Sequence, residues 1–209
     1  MSYSNLIRLG GLAAMVGGVL YAGVGLLEKH LAEALVLQGN IDYKFLVVSL
    51  PLGTIAAIVA LYALHRDRYG RAGAVFCLTA VLGLALATGA LILRFLAAYP
   101  IHAFPGRPSY WAWFFSWPLL LGLLVATAGM VLLGILSVAR GILPPWCAIA
   151  LMVASPFVGV FFTMTASAAA GGSALGRAFA ALGGVPCAVV GYYIFRAARQ
   201  RTERPARVR

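Results

Sequence analysis

Chemistry on a protein needs nucleophiles, bases or metal ligands brought together, and in this sequence such groups are few and scattered. The three histidines are His30, His65 and His102; the five acids are Glu28, Glu33, Asp42, Asp67 and Glu203; the three cysteines are Cys77, Cys147 and Cys187. A structural zinc centre draws its ligands from closely spaced pairs, and no two cysteines here lie close in sequence. A b-type haem would need histidines facing one another from within helices. These three stand at the ends of apolar runs or between them. Ser173, in Gly171-Gly172-Ser173-Ala174, is a nucleophile by type, but no histidine follows it to take its proton. Each cysteine falls inside an apolar run and reads as a small hydrophobe packed among helices. No catalytic residue, metal or cofactor is expected, and the chain leans away from enzymatic activity.

What must position these residues is a set of apolar segments. Of the 209 residues, 63% are hydrophobic and 10% charged, against about 45–50% and about 25% in a soluble domain. A water-soluble fold of this size could not hide that much apolar surface, so a bilayer must be part of the solvent. Six runs stand out, at 8–27, 45–64, 73–97, 113–137, 145–166 and 176–195. Each is long enough to cross ~30 Å of hydrocarbon as a helix at ~1.5 Å per residue. Backbone groups must satisfy one another inside lipid, and the lack of alternating polarity excludes a β-barrel. The expected fold is therefore all-α: a six-helix transmembrane domain over 1–195 followed by a basic tail over 196–209. The first run, though preceded by Arg8 and followed by Ala32-Glu33-Ala34, is longer than a signal-peptide core, so it is expected to stay as a span.

The net charge of +11 follows this topology rather than a nucleic-acid footprint, because the basic residues sit between the apolar runs and in the tail. On one side fall Arg8, Arg66, Arg68, Arg71, Arg140, Arg196, Arg199, Arg201, Arg204, Arg207 and Arg209; on the other, Lys29, Lys44, Arg94, Arg107 and Arg177. The richer side is cytoplasmic by the positive-inside bias, which puts both termini in the cytoplasm. The expected setting is a bacterial cytoplasmic (inner) membrane, with anionic lipids as partners of the basic tail and a membrane protein or a second copy as a further partner. The short links His65–Ala72 and Ala139–Pro144 lie on that inner side. On the outer side, Lys29–Tyr43 has the pattern of a short interfacial helix. Tyr99–Trp117 carries Tyr99, Phe104, Tyr110, Trp111, Trp113 and Trp117 among three prolines, the composition of an aromatic belt.

Two constellations remain as candidate sites. Counted from the inner ends of their helices, Glu28, Lys44, Arg94 and Arg177 all stand ~28–35 Å above the inner boundary, with Thr163, Thr165 and Ser167 at a similar level. Long charged side chains at helix ends snorkel to the interface whatever else they do. The functional alternative is an outer vestibule in which Arg94 and Arg177 accept an anion or lipid headgroup and Glu28 supplies counter-charge. The second constellation is proline within helices: Pro51 in Ser49-Leu50-Pro51-Leu52-Gly53, Pro156 in Ser155-Pro156-Phe157-Val158-Gly159, and Pro186 after Gly183-Gly184. Each should bend its helix near mid-membrane by removing a hydrogen bond. Pro51 and Pro156 hold matching places in two three-helix halves of opposite direction, as an inverted repeat would require. Gly17, Gly18, Gly23 and Gly25 mark close contacts on the first helix, as do Gly172 and Gly176 before the sixth. Together these features read as a non-enzymatic helical bundle acting as a subunit or binding component. The alternative is a small transporter or channel for a neutral or lipid-like solute, since no acid, lysine or histidine is expected deep in the bilayer.

Overall fold

The computed structural model describes residues 3–38, 49–98, 116–155 and 184–203, with side chains over 5–23, 50–93, 117–155 and 184–200. These residues form helices throughout: α1 Tyr3–Gln38, α2 Ser49–Leu64, α3 Arg66–Ala98, α4 Ser116–Ala139, α5 Pro145–Val153 and α6 Gly184–Glu203. Among the described residues, three stretches are long and apolar enough to cross a membrane, Asn5–Gly23, Arg66–Leu93 and Trp117–Ala139; the apolar helix Leu50–Leu64 is shorter.

The side chains are distributed for an apolar solvent. Val75, Leu78, Leu82, Leu86 and Leu93 of α3, and Leu120, Leu121, Leu124, Leu132 and Ile135 of α4, are exposed, whereas Ala80, Ala87, Ala90 and Ala126 are buried. Many large residues face outward while alanines face the neighbouring helix, although Leu84, Met130 and Leu133 are buried as well. That arrangement suits a bilayer, where association comes from close backbone packing rather than from hiding leucine.

α1 runs antiparallel to α2 and to α6, and α3 to α4, and glycine and alanine set their separation. A Cβ on Gly10 of α1 would lie 2.6 Å from the Ala60 Cβ, and one on Gly53 of α2 would lie 3.0 Å from the Ala13 carbonyl oxygen. The most extensive interfaces are α3 with α4 and α1 with α6, and they share one pattern. A Cβ on Gly11 would lie 2.9 Å from both the Gly191 oxygen and the Phe195 nitrogen; one on Gly122 would lie 2.8 Å from the Gly83 oxygen and 2.6 Å from the Ala87 nitrogen. Seven residues further along each chain, Gly18 presses on the Ala188 nitrogen and Gly129 on the Ala80 nitrogen. In return Gly191 abuts the Gly11 oxygen and the Met15 nitrogen, while Gly83 abuts the Gly122 oxygen and the Ala126 nitrogen. Position by position, Gly11, Met15 and Gly18 of α1 correspond to Gly122, Ala126 and Gly129 of α4. Ala80, Gly83 and Ala87 of α3 correspond likewise to Ala188, Gly191 and Phe195 of α6.

Two local features differ from the sequence expectation. The Lys29–Tyr43 stretch does not begin a separate helix, because α1 continues unbroken to Gln38; its residues from Glu28 on supply good helix formers such as Leu, Ala and Glu. The His65–Ala72 link is itself mostly helical, interrupted by a turn at His65 and by Gly70 at φ 61° and ψ −156°. Only glycine takes that conformation without strain. Pro51 and Pro186 lie in α2 and α6, and the turns ahead of them, where a proline kink would show, lie outside the described residues.

Candidate functional site

The richest side-chain chemistry among the described residues lies at the end of the bundle where the two short links gather. There the helix break at Gly70 leaves the carbonyls of the preceding turn without their usual partners. Arg140, just past the end of α4, meets that need: its Nη1 donates to the Arg68 oxygen at 3.0 Å and to the Tyr69 oxygen at 2.9 Å. Tyr69 is wholly buried. Its hydroxyl pairs with Ser137 Oγ at 2.7 Å, and Ser137 Oγ also donates to the Leu133 carbonyl of its own helix at 2.6 Å. His65 lies between two phenols, edge-on to Tyr69 at 6.3 Å and stacked on Tyr193 of α6 at 6.3 Å, with the Tyr193 hydroxyl 3.4 Å from His65 Nε2. Tyr62 stacks on Tyr69 and Trp146 meets Tyr193 edge-on. This cluster ties α2, α3, α4, α5 and α6 into one knot. The short links bring Arg66, Arg68, Arg71 and Arg140 to this end, together with Arg196 and Arg199 of α6. Arg8 joins them, because Gly11 packs against Phe195.

A second polar spot lies where α1, α2 and α6 meet. Thr54 Oγ1 donates to the Leu50 carbonyl at 2.8 Å and lies 3.5 Å from Cys187 Sγ, which in turn donates to the Ala14 carbonyl at 3.5 Å. Thr88 donates to the Leu84 carbonyl at 2.6 Å in the same way. Such bonds back to the previous turn let a hydroxyl sit in an apolar interior without an unmet donor. Ser155 differs: it is fully buried, and its Oγ has no hydrogen-bond partner among the described residues.

Of the outer-vestibule residues, Glu28 lies on α1 and Arg94 on α3, with their side chains outside the described set; Lys44, Arg177, Thr163, Thr165 and Ser167 lie outside the described residues, as does Pro156. Pro51 and Pro186 are both described, in α2 and α6. Sequence reading did not single out Tyr69, Ser137, Arg140 and Tyr193 as a cluster. A phenol and a serine in separate runs carry no spacing signal, and only the packing of α3 on α4 brings them together. Among the described residues, no three of His, Cys, Asp and Glu gather as a metal site would require. The three cysteines are free thiols buried in the bundle.

No family model, no curated protein and no solved structure matches the chain.

Proposed function

We propose that this chain is a multi-pass protein of the bacterial cytoplasmic membrane with six spans and both ends in the cytoplasm, working as a non-enzymatic bundle that serves as a subunit or binding component. The observation that carries this reading is the use of its buried polar groups. Thr54, Thr88 and Ser137 return their hydroxyls to carbonyls one turn back, and glycine holds neighbouring backbones in contact. An interior built this way is a packed support for a surface. The antiparallel run of α1, α2, α3, α4, α5 and α6 supports the six-span arrangement, because each junction reverses direction. The gathering of arginines at one end supports the orientation.

The second reading, a transporter for a neutral or lipid-like solute, is favoured by the matching register of α1 on α6 and α4 on α3. A two-fold axis in the membrane plane would produce that correspondence, with the halves 8–97 and 113–195 as an inverted repeat. Ser155, buried without a described partner at the end of α5, is where a solute or water would find an open hydroxyl.

Thiol accessibility at Ser155 separates the two. In a chain whose native cysteines are replaced by alanine, Ser155→Cys in a packed support resists membrane-impermeant maleimide added from either face. Labelling from both faces in turn would overturn the subunit reading and establish the transporter.

A further inference from the structure

We propose that the seam between α1 and α6 binds one anionic glycerophospholipid of the arginine-facing leaflet, its acyl chain in the groove and its phosphate on Arg196 and Arg8. The inference rests on the membrane reading above. The groove has a volume of about 580 Å³ and is lined by Gly18, Val19 and Ala22 of α1, Val185, Ala188, Val189 and Tyr192 of α6, and Trp146 of α5. Ligand sites run to ~300–1,000 Å³, so it is large enough to be occupied. Its floor is low because Gly18 faces Gly184 and Ala188; its walls are the exposed Val19, Val185, Trp146 and Tyr192.

The two walls end alike. On α6, Val185, Val189, Tyr192, Arg196 and Arg199 follow one another at helical spacing, with Val185, Tyr192, Arg196 and Arg199 exposed. On α1, Ala22, Val19, Met15, Leu12 and Arg8 form the matching stripe. From Val185 to Arg196 the helix rises ~17 Å, about half of the ~30 Å hydrocarbon core. The groove thus has the depth of one leaflet, apolar throughout and cationic at its mouth, with Trp146 and Tyr192 at the level where such rings settle. Charge decides the occupant. A second copy related by a two-fold axis along the membrane normal would set Arg8, Arg196 and Arg199 against their own counterparts. A lipid phosphate meets the same arginines as a counter-ion, and guanidinium binds it in two-pronged fashion.

Brominated lipid tests this by quenching Trp146 fluorescence. The full chain, with Trp111, Trp113 and Trp117 replaced by phenylalanine, is reconstituted in symmetric phosphatidylcholine vesicles containing a minor fraction of phosphatidylglycerol, and either lipid carries the bromine in its chains. Quenching of Trp146 by brominated phosphatidylglycerol is expected to exceed that by brominated phosphatidylcholine at equal mole fraction. Arg196→Gln should lower that preference about fivefold, the weight of one charge near an anionic surface. Val19→Trp in the same chain carrying Trp146→Phe fills the groove and displaces the acyl chain, so its own quenching should lose the preference for brominated phosphatidylglycerol; a preference kept by this chain would also overturn the proposal. Equal quenching by the two lipids, or a preference that Arg196→Gln leaves intact, would overturn the proposal. A companion chain keeping only Trp117 reports on the membrane reading itself. If brominated lipid quenches neither tryptophan, the chain is not in the bilayer; if it quenches Trp117 without headgroup preference and Trp146 likewise, only the lipid site falls. Symmetric vesicles make the result independent of orientation.

Discussion

At the scale of single residues, the bundle shows how a membrane-associated fold places polar groups. Tyr69 and Ser137 form a hydrogen-bonded pair between α3 and α4 whose two members are not equivalent. Ser137 keeps a second bond to the Leu133 carbonyl, whereas the Tyr69 hydroxyl is buried against Ser137. Tyr69→Phe removes one bond and orphans nothing, so it should cost about 1 kcal/mol. Ser137→Ala leaves a buried phenol without that partner and should cost more, about 1–3 kcal/mol. Adding Tyr69→Phe to Ser137→Ala should then recover part of the loss, because the orphaned hydroxyl goes with it. Reversible unfolding in mixed detergent micelles, measured for the four chains of this cycle, gives the comparison; a Tyr69→Phe cost equal to or above that of Ser137→Ala would contradict it. Gly70 and Arg140 make a related point. The break at Gly70 frees two carbonyls, and the guanidinium of a residue far along the chain closes them. The same charge belongs to the arginine-rich end of the bundle, which the proposed orientation sets in the cytoplasm.

Helices as elements are held apart or together by whether a Cβ fits. At Gly18, Gly122 and Gly191 an added Cβ would lie 2.5, 2.6 and 2.6 Å from backbone atoms of the facing helix. Backbone cannot rotate away as a side chain can, so the helices must separate and lose the van der Waals contacts on which association in lipid depends. At Gly23 and Gly89 nothing lies within 4 Å. Alanine there should be neutral or stabilising, by up to about 1 kcal/mol of helix propensity. The same substitution is therefore expected to have opposite signs: Gly18→Ala, Gly122→Ala and Gly191→Ala lower the unfolding midpoint, while Gly23→Ala and Gly89→Ala leave it or raise it. Gly11→Ala and Gly122→Ala, at corresponding places in the two tightest interfaces, should cost similar amounts. A uniform effect at all six sites would mean that composition, not packing, governs these helices.

For the whole molecule, the proposed orientation rests on the distribution of arginine. The tail from Arg196 to Arg209 holds six arginines and one acid, Glu203, and each such charge near an anionic leaflet contributes about 1 kcal/mol. Alkaline phosphatase fused after Arg209 should be inactive in a bacterial host, and a fluorescent protein fused there should fluoresce; the reverse pair of outcomes would invert the topology. The outer-vestibule residues Glu28, Lys44, Arg94 and Arg177 belong to the opposite face in the same scheme. The lipid site proposed at the α1 and α6 seam belongs to the inner one. One end of the bundle is closed by a knot of phenols, histidine and arginine.

What the sequence determined by itself was the solvent and the secondary structure. Long apolar runs can satisfy their backbone in lipid only as helices, and that constraint acts locally, so α1, α3 and α4 were readable from composition and length. The shared interface pattern was half legible: Gly11 and Gly18, like Gly122 and Gly129, repeat at seven residues, a spacing that places both glycines on one helix face. Which faces meet was not legible, because small residues permit close approach without naming a partner. Tertiary structure decided that α1 takes α6 and α4 takes α3, since register depends on backbone atoms of two distant helices fitting together. The seam of Gly18, Val185, Trp146 and Tyr192 leading to Arg196 exists only once three helices from both ends of the chain are assembled.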